Sequence, residues 1–299
     1  MIDWLTEPWS YDFMQRAFVE VAIVGLLCGV VGCFVVLRGL AFIGDALAHA
    51  VFPGVVLSYM AGKSILWGAF AFGSLTAIGV AVLARTRRVS EDSAIGILFA
   101  AFFALGVILI SRQAGFKKDL GSLLFGNILG VSQADVVISL VIAAVVLIVF
   151  FSLLKEFALV AFDATLARSS GYPVFLLDVI LLLLVSATIV VSLQAVGNIL
   201  ILALVVTPPA AARLLTDRLS SMMLWSSGIA LFSGFVGLYI SYHANTAAGG
   251  TIVLTATACF LVALVFAPDH GLISTQLQAR RGRHHEHHYH PMGEPHEIQ

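Results

Sequence analysis

The stretch FIGDALAHAVFPGV, residues 42–55, places a carboxylate and an imidazole inside a long apolar run. Asp45 and His49 are four residues apart, so on a helix their side chains share one face about one turn apart. An ionisable side chain at membrane depth costs at least about 2.5–3.5 kcal/mol on insertion scales, so it usually faces a cavity or a partner. A carboxylate beside an imidazole makes a ligand pair for a first-row divalent ion such as manganese, zinc or iron.

Two ligands are too few for tight binding, so a metal site at Asp45 and His49 needs another helix, water or a second copy of the chain to complete it. Two other roles remain open from the spacing alone. The pair could relay protons, or the two side chains could simply satisfy each other or nearby backbone groups. Pro53 and Gly54 follow in the next turn and predict a loosened helix, as suits the wall of a pathway.

The composition is that of an integral membrane protein. Of 299 residues, 60% are hydrophobic and 11% are charged, whereas about a quarter of the residues in a soluble domain are charged. The net charge of −1 gives no indication of nucleic-acid binding. Cys28, Cys33 and Cys259 lie in apolar segments without the paired spacing of a metal knuckle or a disulfide framework, which predicts small buried side chains.

Windows of about 20 apolar residues, the length that crosses a bilayer core, predict an all-α fold, a polytopic transmembrane helical bundle. The seventh window contains Pro208 and Pro209, so a break there would leave eight spans instead of nine. The segment Asp119–Gly130, DLGSLLFGNILG, is short and punctuated by glycine, which favours a re-entrant or interfacial piece. The nine windows are 18–37, 40–61, 65–84, 93–111, 133–154, 174–193, 195–212, 222–243 and 250–267.

The distribution of lysine and arginine predicts the orientation. With nine spans and the N-terminus outside, eleven of the sixteen basic residues lie on the inner face and five on the outer face. The C-terminus is then cytoplasmic. Residues 1–267 form the transmembrane domain, and residues 268–299 form a polar, His-rich cytoplasmic tail that we expect to be disordered.

Residues 156–172, EFALVAFDATLARSSGY, mix polar and apolar residues on the inner face, and the apolar ones recur at helical spacing. We expect a short amphipathic cytoplasmic helix, with a helix that merely rests at the membrane interface as the alternative. Three polar residues stand alone within the spans, and interhelical hydrogen bonding explains them more easily than a role in transport. They are Glu20, Asp178 and Asn198.

The ATP-binding pattern GxxxxGK[ST] is absent from the sequence. Gly62-Lys63-Ser64 comes nearest, but Leu57 stands where the first glycine belongs. Any ATP that drives this protein is therefore bound by another chain, and we expect the chain itself not to be an enzyme.

Six blocks of sequence resemble, in order, the membrane permease of bacterial ABC importers for manganese, zinc or iron, whose fold is of the type II kind. The blocks are LRGLAFIGDALAHAVFPGV (37–55), RVSEDSAIGILFA (88–100), SLLFGNILGVS (122–132), KEFALVAFD (155–163), GNILILALVVTPPAAARLLTDRL (197–219) and GLYISYHANTAAGGTIVL (237–254).

The resemblance implies a multi-pass protein of the bacterial cytoplasmic (inner) membrane that forms a homodimer among the membrane lipids. It also implies a cytoplasmic ATPase subunit and an extracytoplasmic metal-binding protein as partners. The metal path is expected at Asp45 and His49, and the coupling helix that contacts the ATPase at about residues 156–172. Within that helix we expect the coupling residues to be Glu156, Phe157, Phe162, Asp163, Arg168 and Gly171.

The resemblance implies no permanently bound cofactor, only a transported Mn²⁺ or Zn²⁺ ion. The motif FPG (52–54) after His49 resembles that of manganese and iron permeases more than that of zinc permeases, which implies manganese as the first expectation and iron as another. The tail histidines favour zinc or act as a loose metal buffer; they are His284, His285, His287, His288 and His290. Two other functions stay open, a proton-coupled secondary carrier for divalent metals and a membrane scaffold that transports nothing.

Overall fold

The computed structural model describes residues 6–86, 88–111, 128–267 and 271, and all the regular structure in these ranges is helical. Short 3-10 helices at Glu7–Ser10 and Ile128–Gly130 precede α1 and α6. The α-helices are α1 (Asp12–Leu37), α2 (Ile43–Ala50), α3 (Phe52–Met60), α4 (Ile65–Ala84), α5 (Glu91–Ser111), α6 (Gln133–Ser152), α7 (Leu154–Phe162), α8 (Ala164–Ser169), α9 (Val174–Val196), α10 (Asn198–Leu215), α11 (Leu219–Ala244) and α12 (Ala248–Phe266).

Within the described ranges, nine segments are long and apolar enough to cross a membrane, with α2 and α3 together forming the second. This confirms the helical bundle with nine predicted spans. Helix α10 continues as one helix through Pro208 and Pro209, so the break on which the eight-span alternative depends does not occur there.

Helix α1 lies at the centre of the bundle, packed most closely against α11 and α10, and α10, α11 and α12 also pack against one another. Gly29 makes the close approach of α1 to α11 possible. A Cβ atom on Gly29 would lie 2.7 Å from the Cα of Ser227, so no larger residue fits there without moving a helix. Small residues at helix crossings are the usual means of close packing in lipid.

A second group of helices stands beside this one. Helix α3 packs on α4, α2 and α3 both pack on α5, and α9 packs on α4. The second span divides at Val51, between α2 and α3. Pro53 lies in the first turn of α3 and has no backbone N–H to donate to the carbonyl of His49. The predicted loosening of this span thus takes the form of two short helices.

Residues 154–172 contain two short helices, α7 and α8. The prediction of one continuous amphipathic helix is therefore wrong. Asp163 separates them with an extended backbone, φ −150°. Its Oδ1 accepts hydrogen bonds from the backbone N–H groups of Thr165 and Leu166 at 2.9 and 2.8 Å. An aspartate that caps a helix in this way begins a new helix and ends the previous one.

Two sequence predictions fall outside the described residues. Of the expected re-entrant piece Asp119–Gly130, the structure describes only the 3-10 turn Ile128–Gly130. The tail from residue 272 onward, with all five histidines expected to buffer metal, also lies outside them.

Candidate functional site

Asp45 and His49 lie on one face of α2, as their spacing predicts. Asp45 Oδ1 is 3.5 Å from His49 Nε2. Asp45 stands in the first turn of α2, where the positive end of the helix dipole favours a carboxylate. Without further chains, 43% of the Asp45 side chain and 25% of the His49 side chain are exposed, so the pair stays open on one side.

Asn198, the first residue of α10, reaches the same place from a distant part of the sequence. Its Nδ2 donates to Asp45 Oδ1 at 3.2 Å and lies 3.4 Å from His49 Nε2. Asn198 is 7% exposed, and its Oδ1 is buried with no hydrogen-bond partner among the described residues. The expected interhelical hydrogen bond of Asn198 therefore exists, and its partners are the two candidate ligands.

Gly197 brings Asn198 to this position. It is the single residue between α9 and α10, and its backbone has φ 82° and ψ 167°, a conformation that residues with a Cβ rarely adopt. The helix therefore breaks at this one residue, and α10 begins beside α2.

Aromatic rings enclose the His49 side of the site. The imidazole meets Phe99 and Phe103 of α5 edge to face, with ring centroids 5.6 and 5.4 Å apart. A cavity of about 280 Å³ continues from there between α2, α3, α5 and the end of α9, and His49 and Asn198 are the polar residues in its lining. An apolar wall of this kind excludes water on one side and leaves the polar atoms facing the open side.

The site in one chain is incomplete for a tightly held metal ion. Among the described residues, no group of three or more His, Cys, Asp or Glu side chains lies close enough to bind one. The chain offers one carboxylate, one imidazole and one amide. Phe42, the residue before α2, is 75% exposed.

The residues expected to contact an ATPase divide into anchors and exposed groups. Phe157 is buried against Phe34 and Phe150, with ring centroids 6.2 and 5.9 Å away, so it fixes α7 to the bundle. Phe162 is 64% exposed. Glu156 is half-buried, and the other exposed members of the set are Asp163, Arg168 and Gly171.

Arg38, the residue after α1, links three helices through ion pairs. Its Nη2 lies 3.0 Å from Glu91 Oε1 at the start of α5, and its Nη1 lies 2.8 Å from Asp178 Oδ1 in α9. Asp178 thus connects α9 to the end of α1. This agrees with the interhelical role predicted for an isolated polar residue in a span. Glu20, the third isolated polar residue, is buried beside Ser139 of α6.

Comparisons with known proteins agree with this architecture. The chain is 41% identical to the manganese transport system membrane protein MntC of Halalkalibacterium halodurans over 274 residues, 92% of this chain and 94% of that protein. It is 37% identical to a probable iron transport system membrane protein of Haemophilus influenzae over 267 residues, 89% of this chain and 98% of the relative. The solved structure of PsaBC from Streptococcus pneumoniae in complex with Fab contains a similar chain. The TM-score is 0.81 at 38% identity, covering 94% of this chain and all of that one.

Residues 10–267, nearly the whole transmembrane region, match the family described as the ABC 3 transport family. Because the match spans all nine membrane-crossing segments and includes Asp45, His49 and Asn198, the chain belongs to the ABC 3 transport family as a membrane permease.

Proposed function

We propose that this permease carries divalent manganese into a bacterium, with Asp45 and His49 as the side chains that the ion meets inside the membrane. The observation that carries the proposal is the pairing of a carboxylate and an imidazole 3.5 Å apart on a helix beside a cavity. Charged and polar residues at such positions mark ion pathways. Relatives whose names describe manganese transport or import support manganese over zinc as the transported ion. A relative named as a probable iron transport protein makes iron the second candidate.

Two copies of the chain would complete the site. The open side of Asp45 and the exposed ring of Phe42 support a dimer in which the two α2 helices face each other. Two carboxylates and two imidazoles would then surround one path. Binding by so few ligands is weak enough for the ion to leave, which conduction requires.

ATP hydrolysis belongs to a separate cytoplasmic subunit in this proposal, because the chain lacks the phosphate-binding motif. Helices α7 and α8 lie in the segment that contacts this ATPase, with Phe162 as its exposed apolar side chain. An extracytoplasmic metal-binding protein would deliver the ion from the opposite side, and the C-terminus would lie in the cytoplasm.

The test is uptake of radiolabelled manganese by proteoliposomes that contain the permease with its ATPase and are supplied with the metal-binding protein. Asp45→Ala and His49→Ala are expected to abolish uptake. Asp92→Ala and His243→Ala, which remove the same side-chain types outside the site, are expected to retain it. Uptake at the wild-type rate by both site variants would contradict the proposal.

The same vesicles distinguish the other functions. Transport of manganese without ATP would favour a secondary carrier, and the absence of uptake under every condition would favour a scaffold.

A further inference from the structure

The amide of Asn198 lies between the two candidate ligands. Its nitrogen is 3.2 Å from Asp45 Oδ1 and 3.4 Å from His49 Nε2, and those two atoms are 3.5 Å apart. Donor atoms about 2.1–2.2 Å from one metal ion lie about 3.0–3.6 Å from each other in tetrahedral or octahedral arrangements. The three side chains are therefore spaced as ligands of a single ion, although the atom now in the third position is a nitrogen that donates.

From this spacing we infer that Asn198 is a third contact for the transported ion and biases the site towards manganese over zinc. The inference rests on the proposed function, because it assigns a role at the same site. Asn198 is far from Asp45 and His49 in the sequence, so their spacing alone does not predict it as a ligand.

The hydrogen bonds show why the amide has to turn when an ion enters. Nδ2 donates to the carboxylate and lies 3.4 Å from the imidazole nitrogen. A cation needs the lone pairs of both partners and repels the N–H groups. Rotation about the Cβ–Cγ bond exchanges Nδ2 and Oδ1 with little displacement of other atoms, and a carbonyl oxygen then faces the ion.

The buried Oδ1 supplies the second observation. It has no hydrogen-bond partner within the described part of the chain, whereas buried polar atoms almost always have one. In this orientation of the amide, the oxygen therefore lacks the partner that most buried acceptors have within the described residues. Turning the amide gives this oxygen the cation as a partner and moves Nδ2 to the buried position, while the ion replaces the N–H donor that the carboxylate loses.

The chemistry of the third ligand determines which ion gains from it. An amide oxygen is a hard donor that suits manganese, which takes six ligands and accepts carbonyl and carboxylate oxygens readily. Zinc is satisfied by four ligands with nitrogen among them, so two aspartates and two histidines from a dimer suffice. Loss of the Asn198 oxygen should therefore weaken manganese binding more than zinc binding.

The experiment measures the binding of Mn²⁺ to the purified permease by electron paramagnetic resonance, with Zn²⁺ as a competitor. Asn198→Leu keeps the shape of the side chain and removes the oxygen. We expect it to shift the Mn²⁺:Zn²⁺ affinity ratio towards zinc by about tenfold, which corresponds to about 1.4 kcal/mol. Asn198→Asp restores an oxygen, and its Mn²⁺ affinity should be at least that of the wild type.

An unchanged ratio in Asn198→Leu would overturn the inference. So would an equal loss of both metals that Asn198→Asp fails to restore, since that result indicates a packing role. Asp45→Ala separates this failure from that of the proposed function: if Asp45→Ala still binds Mn²⁺ at the wild-type affinity, the site itself is misassigned.

Discussion

Replacing Arg38 with methionine removes one guanidinium and leaves two carboxylates without their partner. The Arg38 side chain is only 12% exposed, and the side chains of Glu91 and Asp178 are 36% and 23% exposed. Methionine preserves most of the length and apolar contact of the arginine stem. The substitution therefore tests the charge network that joins α1, α5 and α9.

The structure sets the size of the effect. Removing one partner of a buried ion pair costs about 3–5 kcal/mol, and the partial exposure of Glu91 lets water replace some of the loss. We expect Arg38→Met to lower the free energy of unfolding by about 2–3 kcal/mol, since two pairs are broken but neither is fully buried. At about 2–4 °C per kcal/mol for a large domain, the melting temperature should fall by about 5–10 °C.

Arg213 offers a matched control. It lies 3.0 Å from Asp217, four residues away, and the two side chains are 42% and 63% exposed. An exposed pair at this spacing contributes about 0.3–0.5 kcal/mol, so Arg213→Met should change the melting temperature by about 1–2 °C.

The assay is thermal unfolding of the detergent-purified permease, followed by tryptophan fluorescence. The reasoning is refuted if Arg38→Met and Arg213→Met shift the melting temperature equally. A further variant combines Arg38→Met with Glu91→Gln and Asp178→Asn, which removes the unpaired charges. It should recover about half of the lost stability; no recovery would show that the two unpaired charges do not account for the loss.

Two further predictions concern backbone geometry and coupling. Gly197→Ala places a Cβ at φ 82°, a strained conformation that costs about 1–3 kcal/mol. We expect the variant to displace Asn198 and to lower manganese uptake about tenfold. Uptake equal to that of the wild type would show that Gly197 does not position the site. Phe162→Asp replaces an apolar side chain that is 64% exposed. We expect the rate of ATP hydrolysis in proteoliposomes to stay the same while manganese uptake falls at least fivefold. An unchanged ratio of uptake to hydrolysis would contradict the proposed contact of α7 with the ATPase.

The nine spans were predictable because hydrocarbon thickness imposes a length and a composition that few other structures share. The Asp45–His49 pair was predictable because helical periodicity alone brings residues four apart together. Both predictions rest on local sequence, where the distance along the chain determines the distance in space.

Asn198 was not predictable in the same way, because 153 residues separate it from Asp45 and an isolated asparagine in a span resembles any interhelical hydrogen-bonding residue. One signal existed in Gly197-Asn198, a helix breaker followed by a residue common at helix starts. Asp163 carried a similar signal within residues 154–172, since aspartate is a strong helix cap, and it marks the division between α7 and α8.

The two parts of the candidate site belong to different packing groups. Asp45 and His49 lie on α2, which packs chiefly against α5, whereas Asn198 begins α10, which packs chiefly against α1, α11 and α12. Arg38 joins the same two groups by linking the end of α1 to the start of α5. Any motion that separates these groups withdraws the amide from the carboxylate and strains the Arg38 pair together. In the site we propose, the number of ligands around the ion would therefore depend on the relative position of the two groups, and the site would hold the ion in one arrangement and release it in another.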